Sequence, residues 1–140
     1  MSFMKKCAVK GFVVMEGKLL LIQRSDSNRY PGVWEIPGGR LEEKESIENG
    51  LKREIYEEVG LDVTVLFPLS AHHFKRNDGQ EIHMVSFLCK AENQEINLSN
   101  EHKNFVWATL EESKKLLHKE YLPDLKVISD WFLKEGLITL

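Results

Sequence analysis

Ile47, Leu51, Ile55 and Val59 recur every fourth residue, bracketed by Ser46, a residue type that caps helix starts, and Gly60, which suits a left-handed stop. The pattern predicts a helix over 46–59 with one apolar stripe. At about 100° per residue the stripe sweeps from about 0° to about 120°, with Glu58 at about 20° and Glu54 at about −20°. Two acids therefore lie on the edge of the face that the helix must bury. Glu57, at about −80°, and Gly50, at about −60°, share that flank, although a solvated acidic face belongs opposite the stripe.

Carboxylates three and four apart on one flank repel, and partial burial makes the repulsion worse. A hard divalent cation relieves it, and an all-oxygen donor set without Cys or His favours Mg²⁺ or Mn²⁺ over Zn²⁺. Gly50 fits this reading. A mid-helix glycine costs roughly 1 kcal/mol against alanine, a cost easier to understand if something must approach the backbone there. The competing reading is a Glu-rich helix whose acids pair with Lys44, Lys52 and Arg53; helix geometry alone does not separate the two.

The spacing does. Gly39, Glu45, Arg53-Glu54, Ile55, Glu57-Glu58, Gly60 and Leu61 satisfy every specified position of the Nudix box, a coincidence on the order of 10⁻⁷ at average residue frequencies. The chain therefore resembles a Nudix hydrolase of the MutT type, with the box over 39–61 and looser similarity over most of the remainder. The resemblance implies an α/β fold, an α/β/α sandwich with a mixed β-sheet. It implies hydrolysis of a nucleoside diphosphate linked to another group, by attack of water on phosphorus with divalent cations bridging the phosphates. By the same resemblance Glu54, Glu57 and Glu58 are metal ligands and catalytic carboxylates, with the Gly38 carbonyl as a further ligand beside Gly39. Glu45 and Arg53 would pair to fix the loop against the helix; an ordinary surface salt bridge is the alternative.

The attacking water must also lose a proton, although a bound metal already lowers its pKa. In MutT-type relatives the base, or an extra ligand, often comes from a loop ahead of a late tryptophan-bearing strand, and Glu101 precedes Trp107 in this way. Glu92 and Glu95 are alternatives, Glu57 could itself serve, and Glu101 could equally be a solvated loop residue. Arg24 aligns with a phosphate-contacting position of these enzymes. Trp34 could wall a base pocket or belong to the core. His72, His73 and His83 have no ligand spacing, and the first two should point to opposite faces of a strand.

A chain of 140 residues, 42% hydrophobic and 29% charged, suits a single domain over 1–140 with one core. A net charge of −3 gives no basic footprint for a nucleic acid polymer or an acidic membrane. The apolar runs at 12–15 and 19–22 are far too short to span a bilayer, and Lys10 breaks the only stretch that resembles a leader. Cys7 and Cys89 lack a CxxC pattern and read as buried free thiols, which points to the cytoplasm. The oligomeric state stays open, a homodimer included.

Strands are expected over 6–15 and 18–24, joined by Glu16-Gly17, then a long loop over 25–45 with a short extended piece at Trp34. After the helix come strands over 64–74, interrupted by Pro68, and over 82–90, the latter covered on both faces. A loop over 91–103, a strand over 105–110, a helix over 111–119 and a terminal helix marked by Leu122, Leu125, Ile128 or Ser129, and Phe132 complete the chain. The substrate implied by the resemblance is a small-molecule nucleotide, a nucleoside triphosphate that is oxidised, non-standard or ordinary. The proline that accompanies ADP-ribose hydrolases is absent, since Pro68 comes too early, and the tyrosine of diadenosine polyphosphate hydrolases is absent too. Arg24-Ser25 and Arg29 match part of the coenzyme A hydrolase signature with the wrong spacing to Gly32. ADP-ribose, other nucleotide sugars and coenzyme A remain the alternative substrates. From other classes, a non-catalytic nucleotide-binding module and an isoprenoid diphosphate isomerase are the rivals.

Overall fold

The computed structural model describes residues 5–137. Residues 1–4 and 138–140, the ends of the domain expected over 1–140, lie outside the described residues. Strand β1 (Lys5–Met15) turns through Glu16-Gly17 into β2 (Lys18–Arg24). Both turn residues have positive φ, the backbone that lets a two-residue hairpin follow the strand twist. The hairpin is short. Only Val14↔Leu19 and Met15↔Lys18 pair before the strands diverge.

That divergence organises the sheet. The outer edge of β1 is taken by β6 (Glu81–Ala91), parallel over ten residue pairs from Lys5↔Glu81 to Val14↔Lys90. The outer edge of β2 is taken by β7 (His102–Ala108), antiparallel. Only the inner edges remain, and the segment expected to be a loop fills them. Its β3 (Trp34–Glu35) pairs with β2, and β4 (Gly38–Arg40) pairs with β1 at Lys10↔Gly38, Val9↔Gly39 and Ala8↔Arg40. Strand β5 (Val63–Lys75) closes the far side on β6 as the sheet's edge. It runs straight through Pro68, with register shifts on either side, as suits a proline on an edge strand.

Each face of this seven-stranded mixed sheet buries a separate core. Val9, Val13, Leu20, Ile22 and Cys89 pack under α1 (Ile47–Val59) through Leu51, Ile55 and Val59. Phe12, Val14, Leu19, Leu21 and Leu88 pack under α3 (Leu122–Lys134) through Leu125, Ile128 and Phe132, and this core reaches Leu117 just beyond α2 (Leu110–Leu116). The strand alternation thus gives an α/β/α sandwich, with β6 covered on both sides as expected. A 3₁₀ turn, Lys119–Tyr121, joins α2 to α3. No helix among the described residues is long and apolar enough to cross a membrane.

The helix caps are those the sequence predicts. The Ser46 hydroxyl accepts from the Asn49 N–H, and Gly60 takes φ +76° while its N–H donates to the Tyr56 carbonyl. Ile47 does not join the buried stripe; it is 42% exposed. Cover by the sheet begins one turn later at Leu51, and the loop residue Leu41 packs on Gly50 instead. Leu122, expected to start the buried face of α3, is exposed, and Cys7 is only half-buried. The last strand starts at His102, earlier than its apolar run, because its polar first residues still pair with β2.

Gly11 is where α1 comes closest to β1. A Cβ there would lie 2.8 Å from the Ile55 side chain and 3.3 Å from the Cys89 sulfur. Gly11→Val should therefore push α1 off the sheet and destabilise the chain by about 1–3 kcal/mol. A denaturant midpoint equal to the parent's would show that this contact does not set the helix position.

Candidate active site

Three strands deliver charged side chains to the gap between β1 and β2. Arg24 ends β2, His102 is its partner at the start of β7, and Glu35 lies on β3 opposite Ile22. Arg24 Nη1 donates to both Glu35 oxygens at 3.1 and 3.3 Å, and its Nη2 to Asn28 Oδ1 at 2.7 Å. Its Nε donates to the Arg29 carbonyl. Every face of the guanidinium is thereby engaged in folding the 25–33 loop back on the strand.

Glu35 accepts from His102 Nε2 at 2.7 Å. Burial would push this carboxyl up, but the His102 hydrogen bond with the charges of Lys10 and Arg24 outweighs burial and holds it below the usual range. An ionised carboxylate can only accept, so His102 carries its proton on Nε2. The other ring nitrogen is Nδ1. It is buried without a partner, on a side chain 1% exposed, 3.9 Å from Glu58 Oε2.

Glu58 comes from α1 and meets β4. Its Oε1 accepts from the Gly38 N–H at 2.7 Å, and the side chain is only 12% exposed. Burial, with a further push from Glu35, raises its carboxyl to about 7 against the opposing pull of Lys10, the Gly38 N–H and His102. Glu54, one turn earlier and 17% exposed, lies against Gly39, where a Cβ would sit 2.4 Å from its carboxylate. A side chain at position 39 would displace this carboxylate. Burial and the neighbouring Glu57 raise the Glu54 carboxyl too, against Arg53 and Lys10.

Arg53 ties the loop to the helix. Its Nε and Nη2 grip both Glu45 oxygens at 2.6 and 2.9 Å, and Nη1 reaches Glu54 at 3.0 Å and Glu57 at 3.2 Å. The grip holds the Glu45 carboxyl down at about 2. Glu45 also caps the loop by accepting from the Glu42 N–H, and a Cβ on Gly50 would come within 2.9 Å of it. The approach expected at Gly50 is therefore made by Leu41 and Glu45.

Among the described residues the five carboxylates Glu35, Glu45, Glu54, Glu57 and Glu58 outnumber the cations Arg24, Arg53 and Lys10 around them. Such an excess of oxygen donors suits a hard divalent cation. The three helix acids do not converge on one point among the described residues. Glu57, 57% exposed, turns outward to Arg53.

A family profile described as NUDIX domain matches residues 4–132. The chain belongs to the Nudix family. It is 31% identical to a CTP pyrophosphohydrolase of Escherichia coli strain K12 over 75% of this chain and 76% of the relative. To a MutT-like protein of Streptomyces ambofaciens it is 35% identical, over 81% of this chain and 70% of that one. The fold is that of a MutT protein from Methanosarcina mazei, with a TM-score of 0.78 at 23% identity, covering 91% of this chain and 94% of the other. As a Nudix pyrophosphohydrolase the chain acts on nucleoside diphosphate derivatives, and Nudix hydrolases generally use divalent metal ions.

Around the Nudix box the structure sorts the remaining expectations. Glu101 is exposed, and its backbone carbonyl accepts from the Ser25 N–H and Asn28 Nδ2 at 2.9 and 3.1 Å. Its neighbour His102 is the one that reaches Glu58. Glu92 accepts from the Thr64 hydroxyl where β5 meets the end of β6. Trp34 is half-buried against the α3-side core. His73 stacks on its cross-strand partner His83, while His72 contacts Ser70, as opposite faces require. Glu35, His102 and Lys10 were not singled out by motif. The one signal for Lys10 was a lone charge inside an apolar strand.

The folded Glu58 carboxyl lies at about 7 against an ordinary 4.5. Between those values the folded chain binds more protons than the unfolded one, so with divalent cations chelated Glu58 makes stability fall as pH rises through this window, by up to roughly 3 kcal/mol. Glu45 acts oppositely, its contribution being lost as pH falls from 4.5 towards 2. Glu58→Gln keeps an acceptor for the Gly38 N–H and cannot ionise. It should flatten the fall between pH 5 and 8 and melt above the parent at pH 8; a parent-like slope would contradict the burial argument.

Proposed function

We propose that the chain is a single-domain, Mg²⁺- or Mn²⁺-dependent hydrolase of nucleoside triphosphates, ordinary or oxidised, yielding the monophosphate and pyrophosphate. The observation that carries this reading is the pair Glu54 and Glu58, desolvated carboxylates held against Gly39 and Gly38 with too few cations around them. Glu54, Glu57, Glu58 and the Gly38 carbonyl would hold the cation. When bound, it neutralises phosphate charge and lowers the pKa of the attacking water. Glu45 and Arg53 keep the helix and loop in register, while Glu101 or Glu57 takes the proton. The water oxygen bonds to phosphorus as the anhydride P–O bond breaks, and pyrophosphate leaves with the bonding electrons.

A cavity of about 660 Å³, lined by His72, Phe74, Met84, Glu120 and Tyr121, supports a nucleoside as the organic part. Burial, with a contribution from Glu35, raises the Tyr121 phenol at the cavity wall to about 12. Arg24 at the end of β2 and Trp34 on β3 are the further substrate contacts of this reading. The relative that acts on CTP favours a triphosphate over a nucleotide sugar. Two free thiols, Cys7 and Cys89, fit a cytoplasmic setting.

The test is product analysis on ordinary and oxidised nucleoside triphosphates, ADP-ribose, dinucleoside polyphosphates and coenzyme A, with Mg²⁺ or Mn²⁺. Pyrophosphate release that needs the metal, and drops by about 10²-fold or more in Glu58→Gln and Glu54→Gln, is the expected result. Both variants turning over like the parent would remove the metal-site assignment. No cleavage across the panel, with nucleotide still bound, would make the chain a binding module.

A further inference from the structure

Lys10 is the one charged residue in the apolar run of β1 between Cys7 and Met15. Strand alternation places it on the same face as Phe12 and Val14, the face under α3 that also carries the cavity. Its partners in register are Gly38 on β4 and Ser86 on β6, and Ser86 in turn pairs with Ser70 on β5. A polar row, Lys10, Ser86 and Ser70, thus crosses an otherwise apolar face. Ser70 donates to the buried Asp124 at 3.0 Å, while the Ser86 hydroxyl is buried with no partner. The next row, Met84 and His72, lines the cavity.

The lysine itself is under-used. Its stem runs beside Gly38, where a Cβ would lie 2.8 Å from Cδ, and its ammonium makes one long hydrogen bond, 3.4 Å to the Ile36 carbonyl. No carboxylate lies within ion-pair distance of it among the described residues. An ammonium has three donors, so two remain unspent in a half-buried position. We propose that Lys10 binds the phosphate chain of the nucleotide, on the α3 face of the sheet and across Gly38 from Glu58. This rests on the nucleotide-hydrolase reading and assigns to it the cationic contact that the box does not supply. The charge of Lys10 is felt by Glu35, Glu54 and Glu58 alike, which places it among the groups a metal-bound phosphate must approach.

A phosphate contact and a structural role have opposite signatures. Lys10→Met keeps the stem and removes one positive charge near the carboxylates. KM for the best nucleoside triphosphate of the panel should rise at least tenfold with a smaller change in kcat. Mn²⁺ binding, followed by electron paramagnetic resonance without nucleotide, should be unchanged or tighter. Lys10→Arg should recover most of the KM. A parent-like kcat/KM in Lys10→Met, or Mn²⁺ binding weakened along with it, would overturn the assignment. Should the parent cleave nothing, the hydrolase reading fails by itself. Equilibrium binding of an α,β-methylene nucleoside triphosphate then still decides Lys10, since weaker binding by Lys10→Met upholds the contact and equal binding removes it.

Discussion

Two strands that begin as a hairpin and then part dictate nearly everything around the site. Once β6 and β7 occupy the outer edges of β1 and β2, the backbone donors and acceptors on the inner edges need partners, because unpaired groups there are costly. The segment from Trp34 to Arg40 supplies them, bonding first to β2 and then to β1, with the Gly11 N–H donating to the Pro37 carbonyl between. Gly38 and Gly39 are carried into the sheet by this crossing. There the first meets the backbone of β1 and the second leaves room for a carboxylate.

The electrostatics follow from that geometry. Glu54 and Glu58 are largely covered by the inserted strand, Arg53 is shared among Glu45, Glu54 and Glu57, and Lys10 forms no ion pair with either acid among the described residues. Folding therefore stores unfavourable charge at one spot while Arg53 and Glu45 hold the flanks tightly. Glu58, in the last turn of α1, has its carboxyl at about 7, while Glu45, in the loop before the first turn, has its carboxyl at about 2. The environment, not the residue type, separates them.

The helix and its acids were legible because their periods are local. Leu51, Ile55 and Val59 set the buried face, Ser46 and Gly60 set the ends, and Glu54 and Glu58 follow from 3.6 residues per turn. The box spacing then carried the family and the sandwich. What stayed hidden depends on pairing between distant strands. His102 and Glu35 are 67 residues apart and meet only because both flank β2, a fact that no local pattern encodes. Ile47 misled for a related reason, since its place in the period is right but the sheet ends before it. Lys10 was visible as an odd charge in an apolar run, yet its meaning required knowing that Gly38 would lie beside it.

Strand β5 is the long open edge of the sheet, and long open edges recruit further strands. Here the recruiting surface is broken twice, between Val65 and Phe67 and between Pro68 and Ser70, and the proline brings no N–H of its own. A neighbouring chain laid along this edge would find its ladder interrupted around Pro68. The kinks beside the Phe67–Trp131 and Ser70–Asp124 contacts thus also make this edge a poor template for a further strand.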